Sequence, residues 1–135
     1  MINIDELFDV VREKGALIGA PASLLVIHTR PVGDGTPHIE IDGGRYFYVI
    51  SERGFEFSRE QIESLDELLY RIFTRVTFHM AVTYELKHRV AHQDSRRLIF
   101  SKQLELMGTL SLQWQRRTER KIREILEAAP YVDGV

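Results

Sequence analysis

The chain contains no cysteine in its 135 residues. Disulfide frameworks and thiolate metal sites are therefore excluded, and the fold must rest on its own core. At this length about two thirds of the unfolded surface can be buried, enough for a core without staples. No apolar run approaches the roughly 18 residues of a membrane span. Nor is there a basic excess: 18 Lys and Arg stand against 20 Asp and Glu, a net charge of −2. A general nucleic-acid binder would carry a clear positive surplus. The opening MINIDELFDVVREKG lacks the basic-then-apolar plan of a secretory leader. These absences leave a soluble globular protein, with the cytoplasm as its expected location. The expectation is one α+β domain over residues 1–135.

What is present is patterned. Arg45 to Phe57 reads RYFYVISERGFEF. Tyr46–Ile50 is a dense aromatic and β-branched run, suited to a central strand. Ser51 to Gly54 forms a polar break, and Phe55–Phe57 resumes with apolar, polar, apolar alternation. Upstream, Leu24–Thr29 carries a continuous apolar run and predicts a strand buried on both faces. Arg30 to Pro37 holds two prolines and two glycines and predicts a loop. His38–Asp42 alternates, and Gly43-Gly44 predicts a turn. Together these predict a four-stranded antiparallel meander.

Helical spacing dominates the rest. Ile4, Leu7, Phe8 and Val11 predict a helix over Ile4–Lys14, capped by Asn3 and stopped by Gly15. Ser64-Leu-Asp-Glu67 has capping-box form, opening a second helix predicted over Leu65–Val90. Asp94 or Ser95 caps a third, predicted over Arg96–Ala129, with Pro130 ending it. Two long helices joined near His92 to Ser95 predict an αα-hairpin covering the meander. Trp114, the only tryptophan, falls on the apolar stripe of the third helix, so its ring should be buried between the helices and the sheet. Gln103 and Thr118 are polar positions on the same stripe, where Gln103 needs a buried hydrogen-bond partner.

Candidate chemistry is sparse. Glu85, His88 and His92 share one helix face, and Glu85 to His88 has the Glu-x-x-His spacing of diiron bundles. No second such pair follows, and Arg89 stands where the zinc-protease pattern needs glutamate. With His79, this cluster supports an alternative reading as a metal-dependent enzyme or metalloprotein. The basic stretch Arg116, Arg117, Arg120, Lys121 and Arg123 is interleaved with glutamates at ion-pair spacing, which describes a solvated helix face. Gly33-Asp34-Gly35 is too short for a phosphate loop. No cofactor is expected. A third reading is a module that self-associates through an exposed helix face, and the oligomeric state is open.

Tyr48, Glu52, Arg53 and Gly54 form a Y-x-x-x-E-R-G pattern. Further on stand Asp94, Arg96, Arg97, Phe100, Gln103, Leu106, Met107 and Trp114, then Pro130 and Tyr131. From Leu24 onward, this combination resembles the immunity protein 63 family of bacterial polymorphic toxin systems. The resemblance implies a small α+β cytoplasmic antidote that binds and neutralises a cognate protein toxin. No catalytic residues are carried over from it, and the composition and charge predict no membrane and no direct nucleic-acid contact. The Tyr48–Gly54 motif is then either structural or toxin-binding. Arg53, with five donors in a rigid fork, is expected to fasten the turn to a neighbouring element. Toxin contacts are expected on the irregular Arg30–Pro37 loop, through Arg30, Asp34 and His38.

Overall fold

The computed structural model describes residues 2–134. The chain divides into two compact units. One runs through Ala16 and resumes over Pro21–Ile72; the other holds Leu17–Ala20 and continues from Phe73. Helix α2, Leu65–Lys87, contributes residues to both.

The first unit contains all but the last residue of α1, Ile4–Leu17, and three strands, β1 Asp34–Asp42, β2 Arg45–Glu52 and β3 Phe55–Ile62. Asn3 caps α1 as expected: its Oδ1 accepts from the Glu6 N–H, and Glu6 reaches back to the Asn3 N–H. The helix passes through Gly15 rather than stopping there. That glycine is buried, and a Cβ would meet the Leu25 side chain at 2.5 Å. Its role is close approach, and the positive φ falls later, at Gly19.

The sheet is antiparallel with order β1-β2-β3. It has three strands, which corrects the expected four. Leu24–Thr29 does not join it. Pro21 precedes a 3-10 turn over Ala22–Leu25, and the chain then runs on without a ladder. A single bond, Ile39 N–H to the His28 carbonyl at 2.8 Å, ties the segment to β1. The apolar Leu25 fills the space that Gly15 leaves instead of a pleat. β1 also begins earlier than expected, within the proline-glycine stretch, with an irregularity between Asp34 and Pro37.

Both hairpins turn on two residues with positive φ, Gly43-Gly44 and Arg53-Gly54. This is the type I′ arrangement that matches strand twist. Register separates the two faces. Ile39, Tyr48 and Glu60 align, as do Ile41, Tyr46 and Ile62. Ile39, Tyr46, Tyr48 and Ile62 are buried. On the other face His38, Val49 and Arg59 align, beside Glu40, Phe47 and Gln61.

The second unit is helical. The expected helix over Arg96–Ala129 is two helices, α3 Ser95–Leu110 and α4 Leu112–Ala128. One extended residue, Ser111, divides them. Its N–H closes α3 on the Met107 carbonyl, and its Oγ opens α4 by accepting from the Trp114 N–H. The two helices lie close: a Cβ on Gly108 would clash with the Gln115 side chain, and Gln115 donates to the Leu104 carbonyl at 3.0 Å. Trp114 is buried and stacks on Phe73, centroids 6.1 Å apart. Gln103 finds its partners in the Thr74 carbonyl and Thr77 Oγ1.

Candidate functional site

The two stretches singled out in the sequence meet at one end of the sheet. The Arg53 N–H donates to the Gly33 carbonyl at 2.9 Å. Asp34 is the register partner of Glu52, and Glu52 that of Phe55. The Arg30–Pro37 loop and the Glu52-Arg53-Gly54 turn are thus clipped together through backbone. The expected fastening by the Arg53 side chain is not observed. Its guanidinium is exposed and makes no hydrogen bond or ion pair among the described residues, and the same holds for Glu52. Gly54, at φ 81°, supplies the second left-handed position of the turn. Tyr48 belongs elsewhere: it is buried, and the Arg71 guanidinium lies 5.0 Å from its ring centroid while holding Glu60 through two 2.8 Å bonds.

Beside the turn lie two residues that the sequence reading assigned to strand alternation. Phe55 and Phe57 are 72% and 67% exposed, more than any other large hydrophobic residue described. A bulge between Ile50 and Ser51 puts Glu56 opposite Ser51 and Ser58 opposite Ile50, leaving Phe57 unpaired in register. Val32, next to Gly33, is also exposed. The one signal in the sequence was compositional: between Phe57 and Ile62 the strand carries only polar residues, so it has little core to serve.

The three loop candidates separate. Arg30 and Asp34 are exposed. Asp34 accepts from the Thr36 N–H at 2.9 Å, and bonding to Thr36 holds its carboxyl below the usual range. His38 is buried. Its Nε2 lies 2.8 Å from a Glu40 oxygen, and its Nδ1 has no hydrogen-bond partner. Glu40 is shared with Arg59, which also grips Glu56 and lies over the Phe47 ring. Arg59 first, then His38, holds the Glu40 carboxyl below its ordinary value. This network spans all three strands.

The second set of motif residues builds a cap in the helical unit. Asp94 caps α3 by accepting from the Arg96 N–H at 3.0 Å. Arg96 turns back to the end of α4, donating to the Ala129 and Pro130 carbonyls at 2.8 and 2.9 Å. A guanidinium there answers the negative end of a helix dipole. Arg97 pairs with Asp133, whose Oδ1 also accepts from the Asp94 N–H. Tyr131 sits beneath both arginines and against Phe100. Arg96, followed by the Val132 N–H, holds the Asp94 carboxyl far below the usual carboxylate range.

The alternative metal site is not assembled. The Glu85 carboxylate is taken by Arg89 through bonds of 2.9 and 3.1 Å. His88 directs Nδ1 to the Tyr84 carbonyl and stacks on the Tyr84 ring. His92 lies past the end of α2 at φ 64°. Among the described residues no cluster of three or more His, Cys, Asp or Glu is placed to hold a metal. No helix described is long and apolar enough to cross a membrane.

The model of the Immunity protein 63 family matches residues 42–124. That span holds β2, β3, α2, α3 and most of α4, including the Glu52-Arg53-Gly54 turn and the Asp94 to Arg97 cap. No curated protein and no solved structure matches the chain. The match covers more than half of the chain, and it reaches the family that the motif residues resemble. The chain therefore belongs to the Immunity protein 63 family: it is a bacterial toxin-neutralising protein, acting by association and not by catalysis.

Proposed function

We propose that this chain meets its cognate toxin in the cytoplasm at the end of the sheet, where the Arg30–Pro37 loop and the Glu52-Arg53-Gly54 turn join. Residues 1–135 act as one immunity-type domain. The observation that carries the reading is the exposure of Phe55 and Phe57 beside that junction. Large aromatic side chains left in water are costly alone and become favourable contacts when a partner covers them. Interface energy concentrates in such anchors, with polar neighbours excluding water around them. The neighbouring groups fit that role: Arg30, Asp34, Glu52 and Arg53 are exposed and form a mixed polar rim.

The test is co-expression with the cognate toxin domain, sought in the genes neighbouring this one. Replacing Phe55 and Phe57 together by Ser should abolish protection from growth arrest. The melting temperature of the purified double variant should stay within about 3 °C of the parent, because exposed side chains contribute little to the fold. Full protection by a folded double variant would contradict the proposal.

A further inference from the structure

Two arginines that border the sheet, Arg59 and Arg71, are neutralised within the chain. Arg59 holds Glu40 and Glu56, and Arg71 holds Glu60. Arg53 differs from these two in two ways. Its guanidinium has no partner among the described residues. Its backbone also sits at φ 51°, in the left-handed region that side chains disfavour. The first central position of a type I′ turn is normally Asn, Asp or Gly. Arginine there satisfies neither the local backbone nor any group of the fold. A residue that breaks a local rule without return inside the molecule points to a contact outside it.

We infer that Arg53 is the receptor for a single carboxylate on the toxin, seated next to apolar surface that covers Phe55 and Phe57. The inference rests on the proposed sheet-end interface and specifies its chemistry. Arginine presents its donors as a planar fork, which matches a carboxylate through two parallel bonds. A phosphate could use the same fork, but its carrier would not fit this surface. Nucleic acid needs a cluster of cations, and here Asp34 and Glu52 stand in register on adjacent strands. Those two carboxylates would repel a broadly acidic surface as well. What remains is one directed acid within an otherwise neutral or apolar contact. The free charges of the site, Arg30 and Arg53 against Asp34 and Glu52, nearly cancel. Long-range steering is therefore weak, and the pair acts on dissociation rather than on encounter.

The experiment measures binding kinetics on the cognate toxin domain, sought in the neighbouring genes and carried as a variant that no longer arrests growth. The variants are Arg53→Asn, Arg53→Lys and Arg53→Glu. Asn suits the left-handed position, so Arg53→Asn should melt no lower than the parent. Its dissociation rate should rise about tenfold or more, with association changed less than about twofold. Lys keeps the charge without the fork and should fall between; Glu should bind weakest. If the parent binds and Arg53→Asn binds equally well, the inference is overturned while the sheet-end interface stands or falls on the phenylalanine variant. If binding and melting fall together, Arg53 is structural and the inference is again overturned. Arg53-dependent capture of a labelled 20-nucleotide single strand would overturn it in favour of phosphate. A parent chain that does not bind the toxin domain overturns both readings.

Discussion

Two acid-and-arginine motifs stand out in this chain, and the fold treats them oppositely. Asp94, Arg96 and Arg97 have their charges filled from within. Arg96 reaches a carboxylate and two carbonyls, and Arg97 a second carboxylate. Glu52 and Arg53 have theirs empty. The chemistry of the side chains is the same in both places; what differs is the supply of partners. At α3 the chain returns after α4, bringing Tyr131, Val132 and Asp133 within reach. At the β2–β3 turn only backbone returns, through the Gly33 carbonyl. An arginine whose guanidinium is engaged by the fold serves stability. An arginine whose donors are all free, beside two exposed phenylalanines, is the one we propose for association.

That contrast can be broken from either side. The largest effect on the helical side is Trp114→Ala, which removes a buried ring stacked on Phe73. It should destabilise the protein by about 3–5 kcal/mol, read from denaturant unfolding. Arg96→Ala comes next. It releases the carbonyls of Ala129 and Pro130 together with Asp94, so the melting temperature should fall and residues 130–134 should lose hydrogen-exchange protection. Acid should act on the same cap. The folded Asp94 carboxyl lies below its unfolded value, so its contribution is present above the ordinary carboxylate range and is lost as pH falls through the folded pKa. Asp133 shifts in the same direction, through Arg97. Stability should therefore drop on acidification below about pH 5. Asp94→Asn should be less stable at neutral pH and flatter in its acid response, by unfolding curves recorded across pH. The smallest effect belongs to the turn: Arg53→Asn should change the stability of the free protein by no more than about 0.5 kcal/mol.

Parts of this were legible in the chain and parts were not, for physical reasons. The second hairpin could be read because Tyr46–Ile50 is rich in strand formers and Gly54 marks the turn. The caps at Asn3, Ser64 and Asp94 could be read because each places a side-chain acceptor where helix N–H groups lack partners. Leu24–Thr29 misled because a short apolar run looks alike whether it fills a pleat or packs on a helix glycine. The break at Ser111 was hidden because it consumes a single residue, and apolar positions recur on both sides of it. Gly108 and Ser111, a close-approach residue and a capping residue three apart, were its only trace. The candidate site was half visible. Its loop and its motif were both picked out, but their junction depends on one long-range backbone bond that no spacing reveals. Phe57 falls at a bulge, which is a property of pairing and not of the strand itself.

The measurement that bears most directly on the contrast between the two motifs is hydrogen exchange on the free protein and on its complex with the toxin domain, followed peptide by peptide. Binding should slow exchange at residues 30–37 and 52–57, leaving 92–97 and 130–134 unchanged and already slow. Protection that appears instead at the helical cap, with the turn exchanging as in the free protein, would contradict the account.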